Sequence, residues 1–181
     1  MKNKAYDLSN YRFSKGETLL LDANVWLYLF PAPSDVTPNF AKNYSRAFKS
    51  MLLAGVHLAL DALVLSEYLN RYCRIEYSAR APGMKFKDFR NSPQFPPVGK
   101  AASAHSKYIA KHCHFFDHPF GSVDLPKLLG DFEVGQCDFN DGLLAHACLK
   151  NGWKLVTNDG DCTKGGIEVL TSNPKLLSAC K

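Results

Sequence analysis

Acidic side chains stand at four points of this sequence from which they could converge on a divalent metal ion. Asp22 and Asp159 each follow a short apolar segment with the character of a buried strand, TLLL and WKLVT. Glu67 and Asp141 lie in the first turns of segments with helical spacing. Mg²⁺ and Mn²⁺ prefer carboxylate oxygens, and clustered like charges are stable only when a cation neutralises them. These acids therefore predict a metal centre that activates water for phosphodiester cleavage.

Several of these acids also have an ordinary structural explanation when taken singly. Asp22 can cap the helix that follows it, and Glu67 can pair with Arg71 one turn later. An N-cap at Asp138 would make Asp141 resemble its capping-box partner. The prediction of a metal centre therefore depends on the joint order of the four acids.

Apolar segments with strand character alternate with segments of helical periodicity along the chain. The predicted strands are 18–22, 57–61, 153–157 and 167–170, with a further apolar stretch at 115–116. The predicted helices are 23–30, 37–54 with Thr37 as N-cap and Pro38 in the first helical position, 62–78, 101–112, 125–132 and 137–152. This alternation predicts an α/β fold, a three-layer α/β/α sandwich around a mostly parallel sheet. In such sheets ligands bind at the carboxyl ends of the strands, where Asp22 and Asp159 are expected.

The length and composition indicate one globular domain spanning 1–181. The chain has 181 residues, of which 46% are hydrophobic and 22% charged, enough for a core of its own. Residues 1–17 are expected to form an extension before the first core element. Residues 79–100 are rich in proline and basic side chains, and we expect a long loop or insertion there.

Positive and negative charges are separated along the chain, although the net charge is only +5. Residues 71–100 contain seven Lys or Arg against two acids, and residues 115–141 contain six acids against one Lys. The basic segment could hold phosphates through Arg71, Arg74, Lys85, Lys87 and Arg90. Phe86 and Phe89, interleaved with these cations, either stack on bases or are tucked against the protein.

The cysteine and hydropathy patterns indicate a cytoplasmic protein that is not in a membrane. Six cysteines are present without a C-x-x-C pair, and no apolar run is long enough to cross a bilayer. The start of the chain is polar and basic, so no secretory signal is expected and the thiols are expected to be reduced. A zinc site among His112, Cys113, His114 and His118 is an open alternative, but the spacing matches no common zinc motif.

Three segments resemble successive blocks of the PIN-domain family, a family that includes the VapC-type ribonucleases. The first is LLLDANVWLYLF, with Asp22-Ala23-Asn24 after the strand, and the second is LVLSEYLNRY, with Glu67. The third is FNDGLLAHACLKNGWKLVTNDGD, in which Asp141 opens a helix and the next strand ends in Thr-Asn-Asp. The resemblance covers roughly residues 18–170.

The resemblance implies a PIN-like α/β/α fold, dependence on Mg²⁺ or Mn²⁺, and hydrolysis of RNA as an endoribonuclease. By position, Asp22, Glu67, Asp141 and Asp159 would be the catalytic metal-binding acids, with Asp161 able to share the role of Asp159. The second shell around the metal would consist of Asn24, Thr157 and Asp138, of which Asn24 and Thr157 would orient the carboxylates.

Partners and alternative functions also follow from the resemblance. Many PIN proteins are toxins neutralised by a small antitoxin, and PIN domains often form homodimers, but no residue pattern here decides either. The extension and the insertion make this chain longer than a typical toxin of that class. One alternative is a PIN-like nucleic-acid-binding module without catalysis. An unrelated phosphotransfer protein is less consistent with the residues, since Asn24 stands where an Asp-x-Asp motif would have its second acid.

Overall fold

Six parallel strands form a single sheet in the order β1-β6-β5-β2-β3-β4. The computed structural model describes all 181 residues. The strands are β1 (Lys4–Asp7), β2 (Thr18–Leu21), β3 (His57–Leu60), β4 (His114–Phe115), β5 (Lys154–Val156) and β6 (Glu168–Thr171). The central strand β2 is apolar throughout its buried part, Leu19–Leu21, as expected for a parallel strand covered on both faces.

Eight α-helices and one short 3₁₀ helix connect these strands. The helices are α1 (Ala23–Leu29), α2 (Ala41–Ala54), α3 (Ala62–Arg80), α4 (Phe86–Arg90), α5 (Phe95–His112), α6 (Leu125–Glu133), α7 (Phe139–Asn151) and α8 (Pro174–Ala179), and the 3₁₀ helix is Phe120–Ser122. The contacts divide most of them into two groups, α1 to α5 and α6 with α7, while α8 packs on β1. The predicted three-layer α/β/α sandwich with a parallel sheet is confirmed.

Glycines end two of the helices at positions where the backbone turns into the left-handed region. Gly55 follows α2 with φ 72°, and Gly152 follows α7 with φ 68°. A side chain is strained in that region, so glycine is the residue that stops the helix there. These two turns lead directly into β3 and β5, the strands on either side of β2.

Three expectations from the sequence were wrong at the edges of the fold. The segment 1–17 is more than an extension, because β1 pairs in register with β6 along its whole length. The helix expected from Thr37 begins at Ala41. The expected loop at 79–100 is largely helical, since α3 runs to Arg80, α4 follows and α5 begins at Phe95.

A single hydrophobic cluster of 35 buried residues joins the sheet to its helices, and it extends from Leu8 to Cys180. Trp26 on α1 and the tyrosines Tyr44, Tyr68 and Tyr72 are among its largest fully buried side chains. No helix is long and apolar enough to cross a membrane.

Candidate active site

The sheet itself brings together the two strand ends that carry the first candidate residues. β2 and β5 are neighbours, with Leu21 opposite Val156. The next residues along these strands, Asp22 and Thr157, therefore lie side by side at the carboxyl edge. Asp22 is only 6% exposed and Thr157 is fully buried.

Hydrogen bonds fix the Asp22 carboxylate in one orientation. Its Oδ2 accepts from Thr157 Oγ1 at 2.6 Å and from Asn24 Nδ2 at 2.5 Å. Asn24 Nδ2 is also 3.0 Å from Thr157 Oγ1, and Asn24 Oδ1 accepts from the backbone of Asn158. Asn24 and Thr157, predicted to orient carboxylates, thus both hold Asp22. Asp22 occupies the N-cap position of α1, but its side chain makes no capping hydrogen bond.

Burial makes the negative charge of Asp22 costly. Removal from water raises the pKa of this carboxyl, and the charge of Glu67 raises it further, while the hydrogen bond from Thr157 acts in the opposite direction. A buried anion that remains ionised needs a compensating charge. No side-chain cation forms an ion pair with Asp22, so the compensation would have to come from outside the chain.

Asp159 lies in a tight turn at the end of β5. Its backbone N–H donates to Thr157 Oγ1 at 3.0 Å, and its Oδ1 accepts from the Asp161 backbone N–H at 2.8 Å. The Asp161 side chain is 85% exposed and pairs with Lys175 Nζ at 2.7 Å. Asp159 therefore belongs to the buried edge, whereas Asp161 points to a surface cation.

Asp141 lies in the first turn of α7, which ends just before β5. Burial raises its pKa to about 7, and the negative charges of Asp22, Asp159, Asp138 and Glu67 contribute in the same direction. Asp141 itself has no ion pair. The expected N-cap is Asp138, whose carboxylate accepts from the backbone of Asn140 at 2.9 Å. Asp141 and Asp159 line the same cleft, and the charges of Asp22 and Glu67 also act on Asp141.

Glu67, on the second turn of α3, combines both roles considered from the sequence. It pairs with Arg71 at 3.5 Å across one helical turn, and its side chain is 31% exposed. Its charge nevertheless acts on both Asp22 and Asp141. Glu67 is therefore at the open side of the group that we call the carboxylate cluster, which consists of Asp22, Glu67, Asp141 and Asp159.

Two members of the carboxylate cluster, Asp141 and Asp159, line a cleft of about 380 Å³. Its acidic lining residues are Asp138, Asp141, Asp159 and Asp161. No three histidine, cysteine or acidic side chains lie in an arrangement that could hold one ion together. Mg²⁺ commonly takes only one or two carboxylates and completes its shell with water and substrate phosphate. The all-carboxylate donor set and the raised pKa values of Asp22 and Asp141 are compatible with such an ion.

The predicted nucleic-acid contacts fall at different distances from the cluster. Arg71 lies at its rim, paired with Glu67. Arg74 covers the Phe86 ring at 4.8 Å, and Arg90 lies 6.0 Å from the Phe95 ring centroid. Lys85 and Lys87 are exposed at α4.

The aromatic residues between these cations are tucked against the protein. Phe89 is fully buried, and it contacts Tyr77 and Phe95 at centroid distances of 5.6 and 5.8 Å. Phe86 packs on Tyr77 and is half-buried. Of the two possibilities considered from the sequence, packing against the protein is the one observed for Phe89, which therefore has no face free to stack on a base.

Two tyrosines at this edge escaped the sequence analysis. The hydroxyl of Tyr44 on α2 donates to Asn158 Oδ1 at 2.8 Å. The hydroxyl oxygen of Tyr44 also accepts from the Ser172 backbone N–H. Tyr28 on α1 accepts from Asn158 Nδ2 at 3.4 Å. Burial raises the pKa of both hydroxyls. Neither contact is near in sequence, so no local pattern could have revealed it.

Lys175 on α8 is a further residue that sequence reasoning missed. Asn173 donates from Nδ2 to the Asn158 carbonyl at 2.7 Å and caps α8 at the Lys175 backbone, which fixes α8 to the turn after β5. A Cβ at Gly160 would lie 2.9 Å from Lys175 Cδ, so glycine leaves room for the lysine stem across the turn. Lys175 thereby reaches Asp161 beside the carboxylate cluster.

The histidines form no zinc site. His118 pairs through Nδ1 with Oδ2 of Asp61, the buried N-cap of α3, at 2.9 Å. His112 instead stacks near Tyr108, and His114 contacts His57. The four candidate zinc ligands therefore do not meet.

Comparisons with known proteins assign neither a family nor a function. No family model matches the chain, and no curated protein matches it. One solved structure with a related outline is the crystal structure of PAE2754 from Pyrobaculum aerophilum, with 22% identity and a TM-score of 0.48, covering 84% of this chain and 89% of that chain. Neither value is high enough to assign the chain to a family or an activity.

Proposed function

We propose that this chain is a metal-dependent endoribonuclease whose carboxylate cluster binds Mg²⁺ or Mn²⁺. The observation that carries the proposal is electrostatic. Asp22 and Asp141 lie far apart in the sequence, and burial raises the pKa values of both. The charge of Glu67 raises the pKa of Asp22 further, and the charges of Asp22, Asp159 and Glu67 do the same for Asp141. Such a cluster costs stability unless it serves to bind a cation.

Asp22, Glu67, Asp141 and Asp159 would supply the ligands, with one or two carboxylates bound directly to an ion and the others reached through its bound water. A bound Mg²⁺ or Mn²⁺ supplies an activated water and screens the leaving oxygen in phosphodiester hydrolysis. Thr157 and Asn24 hold the Asp22 carboxylate in one orientation. Less conformational entropy is therefore lost when a ligand binds to it.

Cations lie at both ends of the row of acids, in the order that the sheet dictates. β6 leads to Lys175, β5 to Asp159, β2 to Asp22, and β3 to the helix with Glu67 and Arg71. Arg71 and Lys175 are held by carboxylates in the free protein. Both pairs are exposed to solvent and weak, so a substrate phosphate can replace Glu67 or Asp161 as the partner. This arrangement supports a phosphodiester chain that crosses the cluster between two cations.

A nucleic-acid-binding module without catalysis is the second candidate. It is favoured by one observation, that no three side chains are arranged to hold an ion directly. The two proposals differ in whether RNA is cleaved when metal is present. A nuclease would cleave it, whereas a binding module would retain RNA without cleaving it.

The test is cleavage of labelled single-stranded and structured RNA with Mg²⁺ or Mn²⁺, and with EDTA. We expect cleavage only with metal, and none by Asp22→Asn, which keeps the shape of the side chain and removes its charge. Asp138→Asn is the matched control, because the Asp138 carboxylate caps α7 and makes no hydrogen bond to the four acids, contrary to its predicted role around the metal, and asparagine still caps the helix. Cleavage by Asp22→Asn at the wild-type rate would refute the proposal, and RNA binding without cleavage under either metal would favour the second candidate.

A further inference from the structure

Two helices of the α1 to α5 layer carry basic stripes and no acidic residue. On α2 the cations are Lys42, Arg46 and Lys49, at positions i, i+4 and i+7. On α5 they are Lys100, Lys107 and Lys111, at positions i, i+7 and i+11. Each spacing keeps its three cations on one side of the helix. All six side chains are exposed, and none forms a salt bridge, whereas Arg71 and Lys175 at the carboxylate cluster are both paired.

An aromatic seam joins the two helices between these stripes. Phe30, at the end of α1, lies 6.4 Å from Phe48 on α2 and 5.3 Å from Tyr108 on α5, measured between ring centroids. Tyr108 lies 4.6 Å from His112, which in turn reaches Phe48 at 6.4 Å. Lys49 directly follows Phe48 in the sequence, and Lys111 directly precedes His112.

Tyr108 is the ring of the seam that is open to solvent. It is 46% exposed, whereas Phe30, Phe48 and His112 are half-buried. The ring is therefore backed by other rings and has a surface available to a ligand. Aromatic rings fixed in this way stack on nucleobases without a preference for one base.

The positive charge belongs to one side of the molecule as a whole. Residues 23–112, which include all five helices of this layer, contain twelve Lys or Arg against five acids. Residues 113–181, which include α6, α7 and α8, contain six against nine. A polyanion is therefore attracted to the α1 to α5 layer over the opposite one.

We propose that α2 and α5 form a second RNA-binding surface, separate from the carboxylate cluster, that takes single-stranded RNA. We call it the α2–α5 basic surface; it comprises Lys42, Arg46, Lys49, Lys100, Lys107, Lys111 and Tyr108. The stripes bind backbone phosphates, and Tyr108 stacks on a base between them. The identity of the polyanion rests on the proposed function, but the binding itself does not require cleavage. Only one ring of the seam, Tyr108, is exposed, which favours stacking on a base over insertion of several rings into a lipid bilayer, so RNA is the partner that these residues fit.

The experiment measures binding of a fluorescent, unstructured single-stranded RNA to the full chain by anisotropy, with EDTA present and over a range of salt concentrations. EDTA keeps any cleavage from obscuring the result. The variants are the double substitution Lys107→Gln with Lys111→Gln, and Tyr108→Leu. Their matched controls are Lys127→Gln with Lys150→Gln on the opposite layer, and Tyr108→Phe, which keeps the ring.

We expect the Lys107 and Lys111 substitutions to reduce the slope of log Kd against log salt by about 1.4, since each phosphate contact on a single strand contributes about 0.7. Tyr108→Leu should weaken binding by about 5-fold or more, and Tyr108→Phe should leave it unchanged. Melting temperatures like that of the wild type would exclude unfolding as the cause.

Equal effects of the test and control lysine pairs would overturn the proposal, as would wild-type binding by Tyr108→Leu. If the Lys107 and Lys111 substitutions abolish binding to anionic phospholipid vesicles and leave RNA binding intact, the surface binds membranes and the proposal is wrong. RNA binding that depends on this surface in a protein that cleaves no RNA would support the inference while refuting the nuclease.

Discussion

Thr157 illustrates how one hydroxyl can organise a site made of distant residues. Its Oγ1 donates to Asp22 Oδ2 and accepts from the Asp159 backbone N–H, and it lies 3.0 Å from Asn24 Nδ2. Two of the four acids in the carboxylate cluster are thus connected through the residue after β5. In metalloproteins, removing a group that hydrogen-bonds to a metal-binding side chain typically changes metal affinity or activity by about 10–100-fold.

Thr157→Val should therefore weaken Mn²⁺ binding by about 10–100-fold and lower stability by roughly 1–3 kcal/mol, because it leaves buried polar partners without a hydrogen bond. Calorimetric titration with Mn²⁺ and thermal unfolding measure the two effects. Thr157→Ser keeps the hydroxyl and is the control. Mn²⁺ affinity in the valine variant equal to that of the wild type would mean that Thr157 does not position a metal-binding carboxylate.

The ionised side chain of Asp141 destabilises the metal-free folded protein. Its pKa is raised to about 7 from the usual 3.8. The folded protein therefore retains a proton that the unfolded chain releases near pH 4, and the metal-free fold loses stability as pH rises between these two values. Above pH 7 the loss of folding stability from Asp141 is complete.

Asp141→Asn should consequently stabilise the metal-free protein at pH 8, by roughly 1–3 kcal/mol, because each pKa unit corresponds to about 1.4 kcal/mol and water still reaches the carboxyl. The gain should disappear near pH 4, and activity should be lost at any pH. Urea unfolding with EDTA at the two pH values measures it. A loss of stability at pH 8 in this variant would contradict the electrostatic picture of the cluster.

At the scale of elements, the sequence predicted the parts of the fold that a local pattern determines. The apolar runs before Asp22 and Asp159 became β2 and β5, since buried parallel strands need no polar face. β1 was missed because its sequence, KAYD, has few apolar residues, and its strand conformation depends on pairing with β6 far along the chain. The proline-rich stretch at 79–100 was expected to be a loop, but its prolines fall outside α4 or in the first turn of α5, where proline is tolerated.

Within the site, the identity of the acids was accessible from the sequence and their partners were not. Asn24 is two residues from Asp22, so its role could be proposed from a local motif. The contacts of Tyr44, Tyr28 and Lys175 each join different elements and appear only when the sheet is assembled. The pairing of Glu67 with Arg71 was foreseeable because it is local to one helix.

The packing of α6 on α7 depends on Gly142, the residue after Asp141. A Cβ there would clash with Leu128 Cδ1 and lie 3.3 Å from Cys137 Sγ. Overpacking of this kind opposes the helix propensity that alanine would add. α6 therefore controls how closely the first turn of α7 is held at the cleft.

A double-mutant cycle tests this contact. Gly142→Ala should be neutral or destabilising in the wild type but stabilising by about 1 kcal/mol in a Leu128→Ala background, where the clash is gone and helix propensity remains. The coupling between the two sites should be about 1–2 kcal/mol in urea unfolding. Additive changes in the free energy of unfolding would contradict this, because they would show that the Leu128 side chain moves aside for the new methyl group without loss of stability.

At the scale of the whole molecule, one edge of the sheet concentrates the acids while one helical layer concentrates the cations. Under the proposed function, an RNA drawn to the α1 to α5 layer would meet Arg71 at the margin of the carboxylate cluster. The proposal therefore assigns the attraction of a polyanion and the binding of a metal to different parts of the chain, because the two tasks need opposite charges. Sequence inspection found the basic and acidic segments, but the assignment of charge to layers required the topology.

The central claim is that four acids, and not their acidic neighbours, form the catalytic group. The most direct measurement is the rate of RNA cleavage with Mn²⁺ for single amide substitutions at Asp22, Glu67, Asp141 and Asp159, beside Asp138→Asn and Asp161→Asn. We predict losses of about 100-fold or more for the first four. The last two should remain within about 5-fold of the wild type, because an exposed pair such as Asp161 with Lys175 is worth less than about 1 kcal/mol. Equal losses at all six positions, or wild-type rates at Asp22 or Asp141, would contradict the account.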